Sequence, residues 1–551
     1  MATKGIEVNE LALESPAQKS PVSEQDLHSS PVFSEKHIQT HTVDGIELDT
    51  PPTPPQTHRN VQGRPEVFSS TIVEILCIFL MALATMLESI SIGALLVALE
   101  DVSAAFKVDG GELSWTLSAF SLGTGSSLLI MAGIADAFGR KKVLLAGYGV
   151  FALTSLISGF VRNDIAFDVL RGLQGLATGA AVPAAIGILG SLYRKPSRRK
   201  NYAMACFAAG APIGFVCGLV IGGICAEFIG WRGILFFLAI IYAIACIGVF
   251  FVVPADAPLT LKEAKEKMLV QDYGGAFLCL TGFTLFVFAM TQADAAPEKW
   301  NTPYIIALIV LGGVFIGVFV VYECYVPTNP IMPPHIWKCV GFPICMACSA
   351  LGISTFLGTN QFFMTMYFQK VKGTGPILTT AYFVPMAIAG VCVNIFAAMT
   401  LHIIPGRILM IMAQCGFLGA SLLMAFTKPT TIFWALPFPA EILSVLGADL
   451  VYNVSTLLTI NSVGEELQSR AAGIFNTITM LSAAVSLGAS SSIVSTKIVD
   501  EKTATKQEFN DGYHYAFWFS VACAGAGLIL SFFLKLGVTG GDEKLEDEES
   551  E

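Results

Sequence analysis

Gly133-Ile-Ala-Asp136-Ala-Phe-Gly139-Arg140-Lys141-Lys142 is a charged turn at the junction of two apolar runs, 113–135 and 143–161. Each run has the length, about 20 residues, that a helix rising 1.5 Å per residue needs to cross about 30 Å of hydrocarbon. Gly139 can take the positive φ of a tight reversal. Asp136 is suited to accept hydrogen bonds from helix N-termini or from an arginine. The basic triplet favours the cytoplasmic side of a membrane. The stretch therefore reads as two membrane-spanning helices joined by a tight cytoplasmic turn.

The same pattern extends in both directions. Apolar runs fall at 72–98, 113–135, 143–161, 166–192, 202–227, 233–253, 273–291, 303–324, 341–367, 377–400, 406–426, 432–460, 471–496 and 513–536. The sequence predicts an all-α membrane protein with about 14 transmembrane helices, the seventh short and the twelfth interrupted by Pro437 and Pro439. Composition agrees: 54% of residues are hydrophobic and 13% charged, whereas soluble domains run near a quarter charged. The net charge of −10 is tail-heavy, since 541–551 alone hold seven acids and one lysine. No basic stripe with interleaved aromatics points to nucleic acid. The 13 cysteines lack metal-ligand spacing with histidine and read as small apolar packing residues. No metal and no cofactor is expected. The aqueous segments carry no nucleophile–base pair or phosphate loop, which excludes an enzyme.

Lysine and arginine fix the expected orientation. The 2–3 and 4–5 turns carry Arg140, Lys141, Lys142, Arg194, Lys195, Arg198, Arg199 and Lys200, against Lys107, Arg162 and Arg232 in the first three turns of the opposite side. Both termini are then cytoplasmic. The sequon Asn453-Val-Ser455 lies inside the twelfth run, out of reach of a luminal enzyme, so no N-glycan is expected there. Residues 1–68 are polar and rich in Ser, Pro and Thr, a composition that predicts a disordered tail. Its Ser/Thr-Pro sites suit either a solvated end or phosphorylation. Proline-rich breaks at 254–258 and 327–334 divide the rest into a six-helix bundle at 69–253, a linker with two extra helices at 254–337, a second six-helix bundle at 338–537 and an acidic tail at 538–551. Two six-helix halves are one known transporter plan.

The Gly133–Lys142 turn resembles the signature loop of the major facilitator superfamily. Gly133, Asp136, Gly139, Arg140 and Lys141 carry the match as the gating loop. Arg171-Gly172-Leu-Gln174-Gly175-Leu-Ala-Thr178-Gly179 in the fourth helix resembles the family segment whose arginine is implicated in proton coupling. Gly214, Gly218, Gly222 and Gly223 in the fifth are similar to the antiporter motif of drug exporters, with Leu219 where that motif carries proline. The resemblance covers about 70–537 and is to the 14-helix drug:proton antiporter branch. The stretch from Glu88 to Pro254 is most similar to fungal aminotriazole-resistance and boron-efflux transporters. It implies two six-helix bundles with two inserted helices, and a central cavity lined by helices 1, 4, 9 and 12.

Ionisable groups at membrane depth carry the rest. A charge at a helix centre costs ~2.5–3.5 kcal/mol on insertion scales, and a leucine returns only ~0.3–0.6 kcal/mol. Glu88, Arg171, Glu441 and Asp449 all fall on the four helices that the resemblance places around the cavity. Asn360, Gln361 and Asn453 add polarity there. Glu88, Arg171 and Asp449 are the candidate proton-coupling residues. Asn360, Gln361, Glu441 and Asn453 are the candidate substrate-cavity residues, Glu441 being placed also to reach interfacial water. Asn394, Gln414 and Asn476 read as helix–helix hydrogen-bonding groups. Phe362, Phe363, Tyr367 and Phe368 suit either an apolar path or lipid and core contacts. The expected function is proton-coupled export of toxic small molecules or secondary metabolites from a fungal cell by alternating access. An importer or facilitator of a small polar solute, and a non-transporting receptor or scaffold, remain alternatives. Expected partners are a small-molecule substrate, protons and the lipid bilayer. A monomer is expected, in the cell membrane or in a vacuolar or other internal membrane.

Overall fold

The computed structural model describes residues 65 and 67–535, apart from 109, 194–197, 256–260, 270, 294–295, 297, 402, 462–467 and 499–502. Most of the expected N-terminal tail, all but the first residues of the linker's opening segment, Arg194, Lys195 and the expected acidic tail lie outside the described residues. Among the described residues fourteen helices are long and apolar enough to cross a membrane: α1 Thr71–Val97, α2 Gly111–Phe138, α3 Arg140–Ser158, α4 Asp164–Leu192, α5 Tyr202–Phe228, α6 Trp231–Val252, α7 Tyr273–Gln292, α8 Pro303–Tyr325, α9 Phe342–Val371, α10 Pro376–Thr400, α11 Gly406–Ala425, α12 Pro437–Thr459, α13 Arg470–Ser495 and α14 Lys506–Ser531. No strand occurs among the described residues. The protein is a multi-pass, all-α membrane protein.

Local chemistry sets the helix ends. Ser70 caps α1 by accepting from the Val73 amide at 3.2 Å, and Asn163 caps α4 through the Ala166 amide at 2.9 Å. These side chains satisfy amides that have no partner inside the helix. Two expectations change at this level. Pro437 does not interrupt α12; it stands at its first residue, where proline's missing N–H would have had no helical partner. The last helix begins at Lys506 rather than 513, because Thr505 and Glu508 form a capping box that starts it in a polar stretch. α9 runs to Val371 and contains two π-helical turns, Ser354–Asn360 and Tyr367–Val371.

A single residue, Gly139, separates α2 from α3, at φ 103° and ψ 125°. A side chain is strained in that region at a cost of about 1–3 kcal/mol. Gly139→Ala is expected to lower the thermal unfolding midpoint in detergent by that increment, and an unchanged midpoint would show that the turn can relax.

Among the first six helices, α1 packs on α5, α2 on α4, and α3 on both α4 and α6. Among the last six, α12 packs on α11 and α10, and α14 on α11 and α9. α2 meets α13 and α5 meets α10, joining the two groups. α7 sits against α2 and α13, and α8 packs on α7. A short helix at Leu261–Leu269 lies against α2. The end of the bundle carrying Gly139 is the turn end; the opposite end is the far end.

Candidate functional site

α1 divides its surface between packing and chemistry. Met86, Ile90 and Ala94 point their backbone at α5, where Gly214, Gly218 and Gly222 leave no room: a Cβ on each would lie 2.2, 2.6 and 2.3 Å from the carbonyl oxygens of Met86, Ile90 and Ala94. Gly210 extends this row by one turn, with its Cβ position 2.6 Å from the Ala82 oxygen. Gly223 leaves the row and faces Thr380 and Pro376 on α10. Glu88 is two residues from Met86, about 200° round the helix at 100° per residue.

Glu88 is 8% exposed and makes no hydrogen bond or ion pair with the described residues. It lies within electrostatic reach of Tyr242 on α6 and of Tyr452 on α12. One turn along the same face, Ser91 accepts from Arg171 Nη1 at 3.1 Å. Arg171 is fully buried. Its Nε donates to the Thr116 carbonyl at 3.2 Å and its Nη1 also to Gln174 Oε1 at 2.7 Å. Its guanidinium lies 4.5 Å from the Phe120 ring centre, and Nη2 has no partner. The acid that Arg171 faces is not Glu88 but Asp168, which accepts from Thr116 Oγ1 at 3.3 Å. Gly175 and Gly179 bring α4 close to α2: a Cβ on them would lie 2.2 Å from the Phe120 oxygen and 2.9 Å from the Thr124 oxygen, respectively.

On α12, Asp449 is half-buried and accepts from Asn394 Nδ2 of α10 at 2.8 Å. Asn453 donates to Asn394 Oδ1 at 3.0 Å and to the Asp449 carbonyl at 2.8 Å. The three side chains form one chain of hydrogen bonds between α10 and α12. Glu441 is fully buried rather than at the interface, and neither carboxyl oxygen has a partner. Asn360, fully buried, donates to Ser421 Oγ on α11 at 3.0 Å. Gln414 joins α11 to the Cys348 carbonyl of α9 at 2.9 Å, whereas Asn476 bonds Ala472 of its own helix. Phe362, Phe363, Tyr367 and Phe368 are all buried in the protein core, away from lipid.

Gln361 lines a small cavity between α1, α2, α9 and α13, with Ile92, Leu117, Ser118, Ser121 and Leu487. Gln361 Oε1 and Ser118 Oγ have no partner, so an apolar space carries two unserved polar atoms. Ser118 and Ser121 were not singled out in the sequence. Their signal is the spacing of Ser114, Ser118 and Ser121, which places three hydroxyls on one helical face.

At the far end, Thr380 Oγ1 of α10 donates to the Leu219 carbonyl of α5 at 3.0 Å. Lys370 of α9 lies 4.0 Å from Glu100, and Gln369 Nε2 donates to the Val97 carbonyl of α1. At the turn end, Arg140 Nε bonds Asp136 Oδ1 at 2.8 Å and its Nη1 donates to the Gly187 carbonyl of α4. Lys141 Nζ donates to the carbonyls of Phe250 and Val253 at the end of α6, where a cation offsets the helix dipole. Gly133 abuts the Gln271 side chain. Among the described residues no group of three or more His, Cys, Asp or Glu is placed to hold a metal.

The sequence profile described as Major Facilitator Superfamily matches residues 81–487. The low affinity ammonium transporter of Saccharomyces cerevisiae is 29% identical over 84% of this chain and 88% of its own. The efflux pump terG of Aspergillus terreus is 28% identical over 80% of this chain and 82% of its own. The aminotriazole resistance protein of Saccharomyces cerevisiae is 23% identical over 85% of each.

Proposed function

The chain belongs to the Major Facilitator Superfamily and is a membrane transporter of a small-molecule substrate, and from that premise we propose that it exports toxic small molecules or secondary metabolites from a fungal cell in exchange for protons. The observation that carries the proposal is Glu88. It is a buried carboxyl with no hydrogen bond or ion pair, on the α1 face turned from α5, within electrostatic reach of Tyr452 on α12. A carboxyl so placed is free to take up and release a proton as the surroundings change, and Ser91, one turn along the same face, ties α1 to Arg171. Asp449 is the second proton carrier, its acceptor position held by Asn394. Substrate contacts are assigned to Gln361, which lines the small cavity, and to Glu441, Asn360 and Asn453, which stand outside that cavity's lining and reach substrate only as the bundles rock apart.

The working parts are a bundle at 69–253, a linker with α7 and α8 at 254–337 and a bundle at 338–537, rocking about the cavity. The contacts of Thr380, Lys370 and Gln369 close the far end. The basic turn end faces the cytoplasm. The transporter works as a monomer in the plasma membrane, a vacuolar or other internal membrane being the alternative.

Export is supported by the likeness to a protein named an efflux pump and to one named for aminotriazole resistance. Entry of a small polar solute is the second reading, favoured by the likeness to a protein named an ammonium transporter and by Leu219 in the glycine motif. Proteoliposomes with an imposed pH gradient separate the two. Export predicts that a panel of apolar xenobiotics moves against the proton gradient while ammonium does not; ammonium flux without xenobiotic flux would replace it.

A further inference from the structure

α7 and α8 meet at the turn end through two acids that the proposed transport mechanism leaves unused. Asp272 is 6% exposed and caps α7, its Oδ1 accepting from the Gly275 amide at 2.7 Å. Glu323, on the last turn of α8, is 5% exposed, and its Oε2 accepts from the Met332 amide at 3.1 Å. Each acid keeps one oxygen, Asp272 Oδ2 and Glu323 Oε1, that no donor serves. The two converge beside Gly275: a Cβ there would lie 2.4 Å from the first and 2.5 Å from the second, and the two side chains are within hydrogen-bonding reach.

We propose that Asp272 and Glu323 hold one exchangeable proton between them, a proton-binding site that clamps the inserted helices to the segment leading into α9. Two buried carboxyl groups that turn their unserved oxygens to one point are satisfied together by a single shared proton. With one proton, the O–H of one carboxyl donates to the free oxygen of the other, and both orphan oxygens are served. The groups facing the pair carry no compensating charge. The Tyr322 hydroxyl of α8 is a neutral donor within hydrogen-bonding reach of Asp272, and the Cys279 thiol of α7 lies near Glu323. From α2, α13 and the Leu261–Leu269 helix, no described cation forms an ion pair with either acid. A metal ion fits less well, because a hard cation takes six or more oxygens and only two carboxyl oxygens are free here.

The site has a mechanical output. Met332, whose amide Glu323 holds, packs against both the α2–α7–α13 core and the core of the last six helices. Loss of the proton sets two charges against each other at that anchor and loosens it. The site is independent of the roles proposed for Glu88 and Asp449.

The test uses the full-length protein in nanodiscs. Difference infrared spectra of the wild type are expected to show a protonated carboxyl that is lost on raising pH from about 6 to about 9 and is missing from Glu323→Gln. Its presence in Glu88→Gln and Asp449→Asn assigns it to the pair. A proton bound only in the folded state stabilises less as pH rises, so the wild-type melting temperature should fall over the same range. Asp272→Asn, which keeps the Oδ1 cap, and Glu323→Gln should each at least halve that fall. The proposal is overturned if both variants retain the full fall, if their infrared spectra equal that of the wild type, or if sodium or calcium at constant pH produces the stabilisation instead.

Discussion

Glu88→Gln is expected to abolish accumulation driven by a pH gradient while leaving substrate exchange across the membrane intact. The substitution keeps shape and removes the titrating group. Glu88 has no hydrogen bond or ion pair to lose, so the change strands no neighbour, and the α5-packing face of α1 lies on the other side of the helix. A buried acid kept only for structure would behave differently: its amide would cost nothing and every transport readout would stay at the wild-type level. Each unit of imposed pH gradient supplies about 1.4 kcal/mol per coupled proton, a tenfold accumulation. That accumulation should vanish in Glu88→Gln, whereas exchange of labelled for unlabelled substrate, which needs rocking but no net proton movement, continues. Arg171→Lys serves as the companion, since a lysine cannot reproduce the fork that serves Thr116, Ser91 and Gln174 together. Wild-type gradient-driven accumulation in both Glu88→Gln and Asp449→Asn would end the proton-coupling assignment.

Residues whose role is set by hydrophobicity and backbone were legible in the sequence; residues whose role is set by a partner on another helix were less so. Fourteen spans follow from apolar run length, and the positive φ of Gly139 follows from the tightness of a one-residue turn. Pro437 was misread because a proline in an apolar run looks the same whether it breaks a helix or begins one. The start of α14 was missed because a capping box can carry a helix into polar sequence. Glu88, Arg171 and Asp449 stand out by their insertion cost alone. That Asn394 serves Asp449, and that Arg171 faces Asp168 rather than Glu88, depends on helix rotation and neighbour, which one sequence does not encode locally. Asp272 and Glu323 escaped notice for the same reason: 51 positions apart at the ends of two helices, each looks like an ordinary interfacial acid until α7 and α8 pair.

Gly218→Val is expected to prevent the protein from reaching its folded state in the membrane, and Gly218→Ala to lower its melting temperature sharply. A Cβ on Gly218 would lie 2.6 Å from the Ile90 carbonyl oxygen and 2.9 Å from the Ile90 Cα. Those are backbone atoms, so no rotamer change can move them aside. Helices in lipid associate through close packing rather than through a hydrophobic drive, and the row from Gly210 to Gly222 is where α1 and α5 achieve it. Forcing α1 and α5 apart at one turn opens the neighbouring turns, where Gly214 and Gly222 are as tightly placed against Met86 and Ala94. Overpacking by one methyl costs about 1–3 kcal/mol in a soluble core; here the alanine should reach the top of that range and the branched valine exceed it. Gly149, on α3, is the control: a Cβ there meets nothing within 4 Å. Gly149→Ala should hold or raise the melting temperature, since glycine within a helix is about 0.5–1 kcal/mol worse than alanine. Equal melting temperatures for Gly218→Ala and Gly149→Ala would mean that α1 and α5 do not depend on this row. A folded Gly218→Ala gives one more reading: because Glu88 rides on the opposite face of α1, displacement of that helix should weaken gradient-driven transport more than substrate binding.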